Sequence, residues 1–318
     1  WAVDLDNAVV ATQGAAAAQQ FSVVVSNASL LDADVKVEIL CTAADSVDPR
    51  TPCTPGQLFT VRGPIHMGPG DLRILDLDPR EVDGASRPEF NDGSGTARSL
   101  HAYRVSSTAP IIAYQFNPLE NVGVFSNDAS LLLPTEALAS RYLVPSWPQT
   151  LARTELSETN AGIHLRAFLT IVGTEDGTTV DVHLSTAILG GNDIPAAAAG
   201  DDLTFTLDRF EIVNLETDGF NADFTGSSVV ARDNKRVAVF TGSEASDAPR
   251  FDTLATRQCC ADHLEEQVFP EDSLGTHFVA VKTPLRSKLV DAAGWDVSIV
   301  PDEPEYWRVM ATVDPTEG

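Results

Sequence analysis

Short apolar runs, each closed by turn residues, set the rhythm of the chain. FSVVVSN (Phe21 to Asn27) is apolar along its centre, as a strand covered on both faces would be. ADVKVEIL (Ala33 to Leu40) alternates: Val35, Val37 and Ile39 on one side, Lys36 and Glu38 on the other. That period of two predicts a strand with one wet face. The two runs are predicted to pair as a hairpin. LFTVR and DLRILDL read as two further strands, separated by Gly-Pro and Pro-Gly steps. Residues 79–98 are polar and rich in turn formers, and predict a long surface loop. HAYRVSS and PIIAYQFNP read as a second hairpin around Ser106 to Pro110. WAVDLDNAVV at the start reads as a strand, and the GAAAAQQ after it is too short and too Gly-flanked for a helix.

The same order then returns. RAFLTIVGTEDGTTVDVHLS (Arg166 to Ser185) predicts a hairpin with Asp176-Gly177 at its turn. GDDLTFTLDRFEIVNLE matches the GDLRILDLD stretch, and SVVARDNKRVAVFTG matches YRVSSTAPIIAYQF. The stretch Ser126 to Pro148 carries the clearest copy. Pro134, Leu138 and Tyr142 recur as Pro270, Leu274 and Phe278, each 136 positions on. Ile111 and Tyr114 recur as Val237 and Phe240, each 126 positions on. The difference places an insertion ahead of the second joint, in the segment RFDTLATRQCCADH. A repeat of this length predicts stacked modules.

The expectation is therefore an all-β chain of tandem antiparallel β-sandwich modules, Ig-like or jelly-roll-like. Module 1 covers 1–134 and module 2 covers 135–270. Residues 271–318 begin a third module, with Trp307 to Gly318 resembling FLTIVGTEDG before its return strand. Ser126 to Pro148 is the hinge between modules. A β-propeller is the second choice of fold, but no shorter period divides the repeat. The core positions expected are Phe21, Val23, Val25, Val35, Val37, Ile111, Tyr114, Phe168, Ile171, Val180, Phe205, Val237 and Val239. Helical signals are few: two turns at ADHLEEQV (Ala261 to Val268), and one turn at residues 135–140 capped by Thr135.

Charge narrows the partners. Of 318 residues, 46 are acidic and 21 basic, a net charge of −25. Nucleic acid and anionic membrane surfaces both call for a basic partner, so both are set aside. No apolar run approaches the roughly 20 residues that span a bilayer. The chain opens at Trp1 inside a strand-like run, and the expectation is a processed or incomplete segment of a longer protein. Cys41 and Cys53 flank the loop TAADSVDPRTP, which a disulfide would clip in an oxidising compartment. Cys259 and Cys260 are adjacent, and either form a vicinal disulfide or pair elsewhere. Zinc competes, but no C-x-x-C pair or ordered Cys/His spacing supports it.

Candidate chemistry is sparse. Asp262-His263-Leu264-Glu265-Glu266 has one His where a zinc-protease helix needs two, and reads as a capped surface turn. His66, His101, His164, His183 and His277 are scattered. Gly242 to Ser246 is not the G-x-S-x-G of a serine hydrolase, and no nucleotide loop is present. No catalytic residues and no cofactor are assigned. Asp76, Asp78, Asp83, Asn91 and Asp92 lie in oxygen-rich loops, so structural calcium is a reading there, set below plain solvated turns. Trp147 and Trp295 sit near chain breaks, where Trp serves either a binding hot spot or a seam between modules; the seam is the reading taken for Trp147.

AYQFNP, SNDASLLLP, DGTTVDV, VAVFTGSE and CCADHLEEQ, taken in that order, resemble the IgGFc-binding domain family. That domain stands at the N-terminus of the IgG Fc-binding mucus protein, and in delta-proteobacterial-type surface or secreted proteins. The acidic, Ala-rich composition suits the bacterial group. The resemblance implies a disulfide-containing, extracellular, non-catalytic module. One departure stands out: bacterial relatives often carry a Cys shortly after the VAVFTGSE strand, where this chain has Ala245-Ser246. The function expected is structural or adhesive, through protein or glycan contacts at the cell surface. The alternatives are a subunit of an extracellular filament, contacting copies of itself through shared strands, and a secreted hydrolase.

Overall fold

The structure, a computed structural model, describes residues 1–7, 10–11, 14–83, 95–120, 122, 126–151, 164–247 and 261–312. The chain divides into two compact units, Trp1–Asp272 and Ser273–Gly318.

The first unit is all-β. Its strands are β1 (Val10–Ala11), β2 (Gly14–Ala15), β3 (Ser22–Ser26), β4 (Ala33–Leu40), β5 (Leu58–Met67), β6 (Leu72–Asp76), β7 (Ala97–Ser99), β8 (Arg104–Ser107), β9 (Ile112–Asn117) and β10 (Asp128–Leu131). They continue as β11 (Arg141–Leu143), β12 (Thr150–Leu151), β13 (His164–Leu165), β14 (Ala167–Gly173), β15 (Thr178–His183), β16 (Asp202–Leu207), β17 (Ile212–Glu216), β18 (Ser228–Ala231), β19 (Val237–Ser246) and β20 (Asp262–Gln267).

Earlier strands form the sheets β10-β9-β3-β6 and β5-β4-β8; later ones form β20-β19-β14-β17, with the earlier β7 added beside β17, and β11-β18-β15-β16. All of these pairings are antiparallel.

The expected hairpins are not hairpins. β3 pairs with β6 and β9, whereas β4 pairs with β5 and β8. Likewise β14 pairs with β17 and β19, and β15 with β16 and β18. β8 and β9 also part into different sheets. Each turn is present, with Gly177 at φ 64° before β15, but the chain crosses from one sheet to the other there. Both strands of such an arch have a buried face, so their sequences look like those of a hairpin.

Two apolar clusters result. One gathers Val180, Val182, Phe205, Leu207, Val213, Leu215, Val237 and Val239 inside the later pair of sheets. The other holds Val23, Val25, Val35, Val37 and Ile39 of the earlier sheets, the opening segment Trp1 to Leu5, and Phe168, Val172, Ile212, Ala238 and Phe240 of the later sheet. The sheet β20-β19-β14-β17 thus has core on both faces, and β19 is buried along its whole length. Trp1 meets Phe210 edge to face at 4.9 Å between ring centres. The opening segment itself makes only single bridges, Ala2 to Tyr103 and Asp4 to Glu81.

The expected core is buried except at two places. Ile111 is half-buried, and Tyr114 is 40% exposed. The helical expectation at Ala261 to Val268 is also replaced. Asp262–Gln267 is strand β20, with His263, Glu265 and Gln267 inward. The inward residues are polar because polar partners await them, and that hid the period of two. Thr135–Ala137 is a single 3-10 turn after Pro134, with no side-chain cap.

Cys41 and Cys53 form a disulfide, with Cα atoms 6.0 Å apart, inside the usual span of about 4.4–6.8 Å. Cys259 and Cys260 lie outside the described residues.

The second unit contains α1 (Arg286–Ala292). The Glu303 carboxylate accepts from the Arg286 and Ser287 amides at its start, at 2.5 and 2.6 Å. Trp307 to Ala311 is not in a strand, and the rest of that expected strand lies outside the described residues.

Candidate functional site

Strand β20 is the last of its sheet, and an open edge leaves amides unpaired. Here side chains of β10 and the residues before it cover that edge. The amides of His263, Glu265 and Gln267 donate to Ser126 Oγ (2.8 Å), Asp128 Oδ2 (2.8 Å) and Ser130 Oγ (2.7 Å). Alternate residues on one strand meet alternate amides on the other, as period-two geometry requires. Gln267 returns the contact by accepting from the Leu133 amide at 2.6 Å. Glu265 Oε1 accepts from Gln115 Nε2 at 3.0 Å, and Gln115 Oε1 accepts from the Val3 amide at 3.0 Å. All of these groups but the half-buried Asp128 are sheltered from water, so their bonds replace costly unpaired groups.

Next to this seam lies a set of buried carboxylates. Asp6 comes from the opening segment, Glu81 and Asp83 from the loop after β6, Glu216 from the end of β17, and Glu244 from β19. Oxygens of Asp6, Glu81 and Asp83 lie within 4.8 Å of one another, and so do oxygens of Asp6, Glu216 and Glu244. Asp83 is half-buried and the other four are buried. The Gly95 amide donates to Glu216 Oε2 at 2.6 Å. Arg166 Nε stands 3.5 Å from the same oxygen. Asp6 Oδ2 and Glu216 Oε1 are buried without a hydrogen-bond partner.

Burial disfavours charge on all these groups. It pushes Glu81 up to about 9 and Asp4, two residues before Asp6, up to about 7. Asp6 and Glu244 are raised well above the usual carboxylate range, by burial first and by neighbouring carboxylates second. Glu216 is raised less, because burial is countered by the Gly95 amide and Arg166.

The residues singled out in the sequence fall in different places. Asp83 joins the carboxylate group. Asp76 and Asp78 do not: both are exposed, Asp76 accepting from Ser22 Oγ at 2.9 Å and Asp78 lying 3.6 Å from Arg50. Asn91 and Asp92 lie outside the described residues. Trp147 is half-buried and donates from Nε1 to the Asp247 carbonyl at 2.7 Å. Trp295, in the second unit, is 71% exposed. His183 faces water beside Asp202, at 2.8 Å, as its alternation predicts. His263, expected on a surface turn, is instead fully buried, with Nε2 3.3 Å from Glu265 Oε2. The sequence assigns no site role to Asp6, Glu81, Glu216 or Glu244. The available signal was their type: acidic residues inside otherwise apolar runs such as EIVNLE and VAVFTGSEA.

A different kind of site lies on the outer face of β10-β9-β3-β6. Leu72 and Ile74 of β6 are 56% and 53% exposed, and Ile112 and Tyr114 of β9 are 44% and 40% exposed. Val24 lies between them, opposite both Ile74 and Tyr114 in the pairing. These side chains make one contiguous apolar strip on a sheet face.

Among known proteins, the human IgGFc-binding protein is 29% identical over 162 residues, which cover 51% of this chain and 2% of that protein. No solved structure matches the chain. No helix of the described residues is long and apolar enough to cross a membrane. Residues 128–317 match the family described as IgGFc binding protein, more than half of the chain, and the chain therefore belongs to that family.

Proposed function

We propose that this chain is a non-catalytic segment of a secreted or cell-surface protein, that it is built from a duplicated β-sandwich, and that it works by protein contact. Family membership supports the protein-binding part, since the human relative is named for binding the Fc part of IgG. The Cys41–Cys53 disulfide suits an oxidising, extracellular setting. Glycan contact is the further reading carried from the sequence.

The duplication rests on strand order. The run β3, β4, β5, β6, β8, β9, β10 is distributed between sheets in the same way as β14, β15, β16, β17, β18, β19, β20. Registers agree too. Tyr114 pairs with Leu131, and Phe240 with Gln267. These pairs are related by separations of 126 and 136, the two offsets read from the sequence. Val24 lies between Ile74 and Tyr114 as Thr170 lies between Asn214 and Phe240.

The observation that carries the contact surface follows from this match. Phe240 and Ala238 are buried against the first half, whereas their counterparts Tyr114 and Ile112 are exposed. The face used for module-to-module packing in the second half is open in the first. Its occupant on this reading is a second module of the same build, supplied by another copy of the chain. Sedimentation velocity over a concentration series tests it. Reversible self-association is expected, weakened at least tenfold by Ile74→Asp with Tyr114→Asp. A chain that stays monomeric at the highest attainable concentration, or a double variant that associates equally well, overturns the assignment.

A further inference from the structure

We propose that Asp6, Glu81, Asp83, Glu216 and Glu244 form a calcium site that clamps the two halves of the first unit together. The sequence positions are far apart, and the fold alone brings them to one place. Asp6 belongs to both groups of three, so its carboxylate bridges them.

The geometry fits a large, oxygen-seeking ion. Ca²⁺ takes six to eight oxygens at about 2.3–2.6 Å, so oxygens on opposite sides of it stand about 5 Å apart. The oxygens in each group here lie within 4.8 Å of one another. All the donors are carboxylates, with no His or Cys, which favours Ca²⁺ over Zn²⁺. Irregular placement from four chain segments suits Ca²⁺ better than the strict octahedron of Mg²⁺.

Unsatisfied oxygens point to a ligand here. Asp6 is 6% exposed and Glu216 is wholly buried, yet Asp6 Oδ2 and Glu216 Oε1 have no hydrogen-bond partner. Buried polar atoms are nearly always satisfied, and an exception calls for an explanation. Both oxygens are aimed at one spot beside Gly95, where a side chain would overlap both of them. Glycine at that position keeps the spot clear of protein. Burial and the neighbouring carboxylates disfavour the ionised form of these groups, and a divalent cation at the shared spot relieves that repulsion. Shared protons are the competing solution, since carboxyl groups of Glu216, Asp6 and Glu244 can bond one another only with a proton between them.

Equilibrium dialysis against CaCl₂ with metal analysis, on the chain stripped by EDTA, tests the site at pH 7.5. One or two Ca²⁺ per chain are expected, with a higher Tm in CaCl₂ than in EDTA and no comparable rise in equimolar MgCl₂. Asp83→Asn, at the half-exposed rim, is expected to weaken binding at least tenfold while the chain still folds. Glu216→Gln is expected to abolish the response of Tm to Ca²⁺. Asp76→Asn with Asp78→Asn should leave binding unchanged. No bound calcium, together with equal Tm in CaCl₂ and EDTA, overturns the proposal in favour of shared protons. Binding that is lost in the Asp76/Asp78 variant and retained in Asp83→Asn also overturns it.

Discussion

The sheets β10-β9-β3-β6 and β20-β19-β14-β17 place their strands in the same order, yet their outer faces differ. On the first, Ile112 and Tyr114 alternate with buried Ala113 and Gln115, so β9 has one wet side. On the second, β19 is buried at every position, and Phe240 and Ala238 belong to the cluster that contains Trp1 and Val23. One face of the later sheet is covered by the earlier half, and the corresponding face of the earlier sheet is not. Position within a strand therefore does not decide burial by itself. What packs against the sheet decides it.

The largest effect that can break this comparison is a pair of truncations. Phe240→Ala should cost about 3–5 kcal/mol, the usual range for a buried Phe, because it opens a cavity between two layers. Tyr114→Ala should cost less than about 1 kcal/mol, since its ring is partly solvated already. Urea unfolding of both variants measures this. Equal losses would mean that the two faces are not in different environments.

A smaller effect sharpens the account of the seam between the halves. Burial holds Glu81 near a pKa of about 9 and Asp4 near about 7, while the unfolded chain releases those protons near pH 4. The folded state then binds more protons throughout that window, so stability falls as pH rises through it. His101, held at about 4 by burial, acts in the opposite sense below about pH 6.5. The Trp1 amino group, lowered by burial from about 8 to about 6, also opposes the decline up to about pH 8, so the decline is cleanest between pH 8 and 9. Urea unfolding in EDTA should show lower stability at pH 9 than at pH 8. Unchanged or rising stability would contradict the burial of these carboxylates.

Much of the fold was legible in the sequence, and the reason is local. Val35, Val37 and Ile39 announce their strand by alternation, and the loop between Cys41 and Cys53 announces its clip by composition. Pairing was not legible. A turn such as Asp176-Gly177 reverses the chain whether the next strand joins the same sheet or the facing one, and only distant partners distinguish the two. β20 was missed because its inward residues are His263, Glu265 and Gln267, matched to Gln115 and Leu133 from far along the chain. The carboxylate group was missed for the same reason. Asp83 stands out by its turn-rich surroundings, but Asp6 joins it from the opening of the chain, and Glu216 and Glu244 reach Asp6 only when the halves pack.

Hydroxyl-radical footprinting of dilute chain, comparing Tyr114 with Phe240, tests the unequal faces most directly. Ready oxidation of Tyr114 and protection of Phe240 are expected, with Tyr114 becoming protected as concentration rises. Similar oxidation of the two rings in the dilute chain would contradict it.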